Sequence, residues 1–254
     1  KEGYEVHAVS VNTGGFSEQE IIDQESKAMQ MGANSYKSIN ALESFYQKIV
    51  KYLVYGNVLK NNSYPLSVSA ERIIQAVEII SYAKKTGAQY IAHGSTGAGN
   101  DQVRFDLIFQ VLAPGIEIIT PIRDQQLSRE AEIEYLKSEG IELSWEKAQY
   151  SINQGLWGTS VGGSETLTSH QALPSSAYPS QLVESESKKI TLDFEKGELR
   201  GIDGVKGNSV ALIQQLQEIA EGYAIGRDIH VGDTIIGIKG RVGFEAAAPL
   251  IIIK

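Results

Sequence analysis

Residues 91–105, IAHGSTGAGNDQVRF, give the clearest indication of the fold. The segment begins with apolar residues typical of a buried strand, passes through three glycines within six residues, and opens a helix at Asn100 and Asp101. Glycines let backbone N–H groups approach a ligand closely, and a helix N-terminus carries a partial positive charge. A strand, a glycine loop and a helix in this order predict a ligand-binding corner of an α/β sheet.

The side chains of this loop favour an amino acid over a phosphate as the ligand. The spacing G-x-G-x-x-G is absent, and the G-x-x-x-x-G-K-[ST] pattern has Asn100 and Asp101 in place of Lys and Ser. Arg104 lies four residues after Asn100 and therefore shares its helix face. We expect Arg104 to bind a carboxylate, Asp101 an ammonium group, and Thr96 with Asn100 to orient the ligand. A helix-capping turn after a buried strand is the alternative that spacing alone leaves open.

Strands and helices alternate on both sides of this loop. Apolar runs predict strands at 4–11, 89–92 and 116–120. Capping signals and apolar periodicity predict helices that begin near Ser17, Asn40 and Ser128, and further helices at 70–85 and 101–112. This alternation predicts a doubly wound parallel sheet covered by helices on both faces, with ligands at the carboxyl ends of the strands.

The second half has a different organisation. Residues 161–187 are rich in Ser, Gly and Pro and are predicted to form a loop. A hairpin at 189–202, a helix at 209–220 and strands at 234–239 and 249–253 follow, which indicates a smaller α+β domain. We place the boundary so that the domains are 1–147 and 148–254. Because the chain begins and ends on predicted strands, we expect the first domain to be incomplete at its N-terminus and the second at its C-terminus.

Composition excludes several classes of function. The 254 residues include 23 basic and 31 acidic ones, a net charge of −8, whereas a nucleic-acid surface needs a basic footprint. There is no cysteine, which excludes disulfides, thiolate metal ligands and a thiol nucleophile. The apolar stretches are shorter than the roughly 20 residues that span a bilayer. We expect a cytoplasmic protein with no metal site and no nucleic-acid or membrane partner.

Other candidate residues have simple structural explanations. The segment 64–69, YPLSVS, is typical of a proline turn followed by a serine helix cap. Ser151 and Ser160 lie in a polar loop, where serines usually contact only solvent. His93 follows a strand, and a structural role is expected for it because the four histidines are scattered along the chain.

Six segments resemble the signature sequences of argininosuccinate synthases, within a collinear resemblance that extends from residue 4 to about 250. They are YPLSVSAER (64–72), HGSTGAGNDQVRF (93–105), LAPGIEIITPIRD (112–124), SREAEIEYLKSEGI (128–141), YSIN…LWGTS (150–160) and IAEGYAIGRDIHVGD (219–233). The resemblance implies an N-type ATP pyrophosphatase domain, of the adenine nucleotide α-hydrolase-like fold, joined to a synthetase domain. It also implies a cytoplasmic homotetramer that acts in arginine biosynthesis.

The implied activity is a ligase reaction that forms a C–N bond. The ureido oxygen of citrulline attacks the α-phosphorus of ATP, which enters with Mg²⁺, and expels pyrophosphate. The amine of aspartate then displaces AMP from citrullyl-adenylate to give argininosuccinate. The family's Ser-Gly-Gly-x-Asp-Thr-Ser pyrophosphate loop belongs to a strand and turn before residue 1, so no catalytic residue is assigned in this chain.

The resemblance also implies binding residues, position by position. Those for ATP are Val11 and Gly94. Those for aspartate are Thr96, Asn100 and Asp101. Those for citrulline are Tyr64, Ser69, Asn100, Arg104, Ser151 and Ser160. Two zwitterionic ligands explain why one loop combines an acid, an amide and a guanidinium, as the side chains already suggest.

Three positions depart from the family pattern. Ala98 stands where the glycine loop usually carries Lys, and Gly232 and Phe244 stand where citrulline-binding Glu and Tyr are usual. Asp233 or Glu245 is a candidate substitute for the missing acid. Two alternatives therefore stay open, namely a related ATP pyrophosphatase ligase with another substrate pair, and a non-catalytic, truncated relative.

Overall fold

Parallel strand pairs organise the first half of the chain. The computed structural model describes residues 3–97, 99–141, 149–235, 237 and 239–254. In chain order the first half contains β1 (His7–Asn12), α1 (Glu18–Gln30), β2 (Ser35–Asn40), α2 (Leu42–Phe45), a π-helical turn (Tyr46–Val50), α3 (Lys51–Tyr55), α4 (Ser67–Thr86), β3 (Tyr90–Ala92), α5 (Asp101–Leu112), β4 (Glu117–Ile119), α6 (Pro121–Asp124) and α7 (Arg129–Ser138). Strand β1 pairs with β2 and β3 with β4, both in parallel.

Crossover helices explain why these pairs are parallel. Parallel neighbours need a long connection, and α1 supplies it between β1 and β2, as α5 does between β3 and β4. The predicted mixed α/β class is confirmed. The described strands of this half form two two-stranded sheets, so the single doubly wound sheet that the alternation predicts is not confirmed.

Antiparallel sheets organise the second half. Its elements are β5 (Ser151–Asn153), β6 (Thr159–Gly162), two 3₁₀ turns (Ser164–Leu167 and Ser175–Ala177), β7 (Leu192–Glu195), β8 (Glu198–Ile202), β9 (Val205–Lys206), α8 (Ser209–Glu221), β10 (Arg227–Asp233), β11 (Lys239–Glu245) and α9 (Ala247–Ile253). Four strands form one sheet in the order β10-β11-β6-β5, and β7, β8 and β9 form another. The predicted domain boundary near residue 147 lies outside the described residues.

Most predicted helix ends are present. Ser17 and Glu20 form the predicted capping box of α1, Ser128 caps α7, and Gly87 ends α4 with a φ of 70°. The predicted capping box at Asn40 is wrong. Asn40 belongs to β2, a strand that sequence analysis missed, and its side chain accepts a hydrogen bond from the backbone N–H of Leu42 at 3.1 Å.

Three further predictions are wrong. The segment 249–253 is helical in α9 and does not form a strand. A short apolar run is compatible with the periodicity of a helix as well as with that of a strand, and Pro249 is tolerated because it lies in the first helical turn. The segment 234–239 is mainly the connection between β10 and β11, where Gly237 adopts a φ of 83°; residues 236 and 238 lie outside the described residues. Ser67 does not cap α4, whose N-cap residue is Leu66.

One hydrophobic core joins the two halves. Leu156 and Trp157, from the connection between β5 and β6, pack with Val11, Phe45 and Ile74 of the first half. The Trp157 side chain is fully buried, and its indole N–H donates to the carbonyl oxygen of Pro65 at 3.0 Å. Burial of a large aromatic residue is among the strongest packing contributions in a protein core, so this residue fixes the second half against α4.

Glu71 is a buried acid at this junction. It lies on α4, is 1 % exposed, and one of its carboxylate oxygens has no hydrogen-bond partner among the described residues. The carboxylate packs against Gly155, where a Cβ would lie 1.8 Å from Oε1, so only glycine fits there. Burial raises the pKa of Glu71 to about 8, against smaller opposing effects of the Arg72 charge and the Thr13 hydroxyl.

The raised pKa predicts a pH-dependent stability. The folded protein binds a proton at Glu71 between pH 4.5 and about 8, whereas the unfolded chain has lost it, so unfolding free energy falls as the pH rises through this range. In the Glu71→Gln variant this contribution disappears. We expect chemical denaturation at pH 6 to 9 to show a shallower loss of stability than in the parent protein.

Glu20→Gln is the matched control. Hydrogen bonds from the Ser17 backbone and hydroxyl lower the pKa of Glu20, so its stabilising contribution is present above pH 4.5 and is lost only as the pH falls. This variant is expected to retain the parent's dependence between pH 6 and 9. A parental slope in Glu71→Gln would contradict a protonated Glu71.

No helix within the described residues combines the length and the apolar character needed to cross a membrane.

Candidate functional site

A carboxylate held by two guanidinium groups lies where the glycine loop meets α5. Asp101 accepts from Nε of Arg72 at 2.9 Å and from Nη1 of Arg104 at 2.8 Å. Arg72 also donates to Asn153 of β5, and Arg104 donates to Ser69 of α4, both at 3.0 Å. The cluster therefore ties α4, α5 and the second-half sheet together at one point.

The other wall of the glycine loop is a second charged cluster. Asp106 of α5 lies 2.9 Å from the His93 ring and 2.5 Å from Arg123 of α6. The Gln102 side chain donates to the carbonyl oxygen of Gly97 and so fixes the loop backbone. The expected structural role of His93 agrees with this arrangement, because its ring is held by Asp106 and packs against two phenylalanines of α5.

Two clefts meet at the start of α5. The first, here called the loop cleft, has a volume of about 310 Å³ and is lined by Ser95, Thr96, Gly99, Asn100, Asp101, Gln102 and Arg104. The second, here called the tyrosine cleft, has a volume of about 210 Å³. Its lining includes Lys60, Tyr64, Ser69, Asn100, Arg104, Ser160, His230, Gly232, Asp233 and Arg241.

The two clefts share Asn100 and Arg104. Asn100 is the N-cap residue of α5 but makes no capping bond; its side-chain oxygen instead accepts from the backbone N–H of Ile235, at 2.7 Å. The Asn100 side chain therefore does not cap α5. The shared wall lets one ligand in each cleft lie beside the other, with an amide and a guanidinium between them.

The residues assigned to aspartate and citrulline divide between these clefts. Thr96, Asn100 and Asp101 line the loop cleft. The tyrosine cleft contains every residue of the citrulline set except one, namely Tyr64, Ser69, Asn100, Arg104 and Ser160. The exception is Ser151, which is exposed on β5 and is not among the lining residues of either cleft.

The two residues assigned to ATP lie elsewhere. Val11, near the end of β1, is 5 % exposed within the core, so only its backbone is available to a ligand. Gly94 follows β3 and is exposed, and a Cβ there would have ordinary contact only with Ile122, at 3.8 Å. Neither is among the residues that line the two clefts. Ala98 lies outside the described residues.

The candidate substitutes for the missing acid have different surroundings. Glu245 is buried, binds Nε of Arg227 at 2.7 Å and accepts from Ser180, so it is occupied on the far side of β11. Asp233 is exposed and lies at the tyrosine cleft. Phe244 is fully buried against the Tyr64 ring at 5.2 Å, in a place where a hydroxyl would have little access to the cleft.

Sequence reasoning missed several residues of the site. Arg72 was visible in the sequence as a basic residue next to Glu71, near the start of α4. Lys60 and His230 gave no local signal. They are 170 positions apart in the chain and meet at the cleft only because the loop before α4 packs on β10, where Asn61 donates to the carbonyl oxygen of Val231 at 3.2 Å.

His230 has an unusual environment in the tyrosine cleft. It is 7 % exposed, stacks on Tyr64 at 5.0 Å, and neither ring nitrogen has a partner among the described residues. Burial lowers the pKa of His230 below its ordinary 6.5, the Lys60 charge lowers it further, and Asp228 opposes both. The ring is therefore neutral at pH 7, with one donor and one acceptor nitrogen.

Comparison with known proteins covers both halves of the chain. A family model described as "Arginosuccinate synthase N-terminal HUP domain" matches residues 1–142, and one described as "Arginosuccinate synthase C-terminal domain" matches residues 150–254. The fold thus combines an N-terminal HUP domain with a C-terminal synthetase domain.

Similar proteins carry the name argininosuccinate synthase. The one from Sulfurisphaera tokodaii is 34 % identical across an alignment of 255 positions, which covers 100 % of this chain and 65 % of that protein. The one from Methanocaldococcus jannaschii is 35 % identical, over 100 % of this chain and 64 % of its own length. The one from Dictyoglomus turgidum is 38 % identical, over 90 % and 58 %.

The chain thus spans just under two thirds of the length of the first two relatives, at 65 % and 64 %. Family models nonetheless match it from residue 1 to 142 and from 150 to 254, and the relatives align with nearly all of it. The chain therefore belongs to the argininosuccinate synthase family.

Proposed function

We propose that the protein ligates citrulline and aspartate to argininosuccinate, with ATP as the energy source and AMP and pyrophosphate as the other products. The ureido oxygen of citrulline attacks the α-phosphorus of ATP, and the aspartate amine then displaces AMP from the adenylate. The observation that carries the proposal is the pair of clefts with Asn100 and Arg104 as their common wall. A ligation of two substrates needs both of them bound side by side.

In this proposal each cleft holds one amino acid. The loop cleft takes aspartate through Thr96, Asn100 and Asp101, and the tyrosine cleft takes the ureido substrate through Tyr64, Ser69, Asn100, Arg104 and Ser160. Ser151, on the neighbouring strand β5, would contact the same substrate from the edge of the sheet that carries Ser160. The Asp101 carboxylate already faces two guanidiniums, so an incoming ammonium completes a charged network and does not meet an isolated acid.

ATP, entering with Mg²⁺, is assigned to the carboxyl ends of the parallel strands. Val11 would contribute its backbone and Gly94 its open, side-chain-free surface. We further propose that the two parallel pairs belong to one doubly wound sheet within residues 1–147, followed by the synthetase domain at 148–254. The ring contact of Tyr4 with Tyr90, at 5.3 Å, supports this by bringing the chain before β1 next to the start of β3. A cytoplasmic location and a homotetrameric assembly stay predictions.

The reaction is tested by AMP release. We expect the purified protein to form AMP from ATP only when citrulline and aspartate are both present, in equal amounts with argininosuccinate. AMP formation that does not require aspartate, but does require ammonia, glutamine or tRNA, would favour a related ligase with another substrate pair. Binding of the amino acids without AMP formation in any mixture would favour a non-catalytic relative.

Arg104→Lys tests the shared wall. The guanidinium of Arg104 reaches Asp101 and Ser69 at once, and a lysine ammonium cannot reproduce this fork. Loss of one charge-assisted hydrogen bond costs about 1.5–3 kcal/mol, so we expect kcat/KM for citrulline to fall by roughly ten- to a hundredfold. Steady-state kinetics with each substrate varied in turn measure this.

The exposed Lys48→Arg exchange on the π-helical turn is the control and should leave the kinetics unchanged. An equal loss for citrulline, aspartate and ATP, accompanied by a lower unfolding temperature, would instead assign Arg104 to general stability.

A further inference from the structure

The tyrosine cleft contains a buried imidazole without a hydrogen-bond partner. His230 lies on β10 with its ring stacked on Tyr64 and 7 % of its surface exposed, and both nitrogens are unpaired within the described part of the chain. A buried polar group without a partner costs stability, and natural proteins rarely retain one without a use. The position of His230 in the wall of a cleft gives it such a use, as a group that pairs with a ligand.

Gly232 is what allows the ring to lie there. Residues two apart on a strand point to the same face, so a side chain at 232 would enter the space next to His230. A Cβ at Gly232 would lie 2.8 Å from Nε2 of His230, closer than real Cβ atoms approach. The histidine therefore occupies the place that an acidic side chain at 232 would fill.

The charges around the ring are mostly positive. Lys60 lies at the cleft and is close enough to His230 to affect its titration, and Arg104 lines the same cleft. Asp233 also lines the cleft, but it follows Gly232 by one residue, so its side chain leaves β10 on the face opposite to His230. Asp228 shares the His230 face but lines a separate cavity with Arg227 and Phe244.

We propose that His230 and Lys60 form a subsite for a carboxylate at the tail of the ureido substrate, and that a tail ammonium group adds little to binding. The proposal rests on the proposed function, because it specifies the ligand of the same cleft. A neutral imidazole donates one N–H, and the lysine ammonium supplies the positive charge that a carboxylate requires. Of the two acids nearest the ring, Asp228 lines a separate cavity and Asp233 leaves β10 on the opposite face, so neither is placed to hold an ammonium beside His230.

Binding requires a small opening of the cleft wall, since both ring nitrogens are covered from water in the free structure. Lys60 is exposed, and its long unbranched side chain is the part of the wall that moves most easily. We expect it to turn toward the bound carboxylate and uncover the ring.

Three ureido compounds distinguish the contributions of the tail carboxylate and the tail amino group to binding. Citrulline carries both groups, 5-ureidopentanoate lacks the amino group, and 4-ureidobutylamine lacks the carboxylate. Binding to the purified protein is measured by calorimetry. We expect citrulline and 5-ureidopentanoate to bind with Kd values within about threefold of each other, and 4-ureidobutylamine to bind at least about tenfold more weakly.

His230→Phe removes the nitrogens but keeps a ring on Tyr64, so the fold should be retained with an unfolding temperature no lower than that of the parent. We expect it to weaken binding of both carboxylates about tenfold and to leave 4-ureidobutylamine unchanged. Lys60→Met, at an exposed position, should act in the same direction. The matched control is His170→Ala, a histidine exposed outside the cleft.

Three results would overturn the subsite. The first is binding of 4-ureidobutylamine as tight as that of citrulline, and the second is no binding of any of the three compounds. The third is unchanged binding of the carboxylates by His230→Phe and Lys60→Met. If the expected binding pattern is found but AMP is not formed with citrulline and aspartate, the subsite is supported while the proposed ligation fails.

Discussion

The site depends on one ionic contact, the carboxylate of Asp101 between the guanidiniums of Arg72 and Arg104. Two cations this close repel each other unless an anion lies between them, so Asp101 is what permits α4 and the start of α5 to share a wall. The carboxylate is more than a third exposed, so solvent reduces its contribution to stability. Its main effect is geometric, because it fixes Arg104 toward Ser69 and Arg72 toward Asn153.

A second constraint is the way the two halves approach each other. The connection between β5 and β6 enters between the end of β1 and α4, where Trp157 is fully buried and the backbone of Leu156 donates to the carbonyl oxygen of Thr13 at 2.8 Å. Gly15 and Gly155 lie so close to neighbouring atoms that a Cβ would overlap them. This contact brings Ser160 and β10 to the clefts, so the site needs both halves in place.

Local signals in the sequence predicted the local features well. The helix at Asp101–Leu112, the capping box at Ser17 and the glycine stop at Gly87 each depend on a few neighbouring residues. The β2 strand was missed because its polar alternation, SYKSIN, lacks the apolar run of a buried strand. Arg104 was a candidate from the side chains of the loop itself, and Tyr64 and Ser69 were added by resemblance to a family. His230 and Lys60 could not be predicted, because only long-range packing brings them together.

We expect the two clefts to hold two different amino acids against one wall. A crystal structure of the protein with citrulline, aspartate and a non-hydrolysable ATP analogue is the most direct test. The ureido group should lie beside Arg104 in the tyrosine cleft and the aspartate ammonium beside Asp101 in the loop cleft, with Asn100 in contact with both. Density for either amino acid away from these residues, or for both in one cleft, would contradict this expectation.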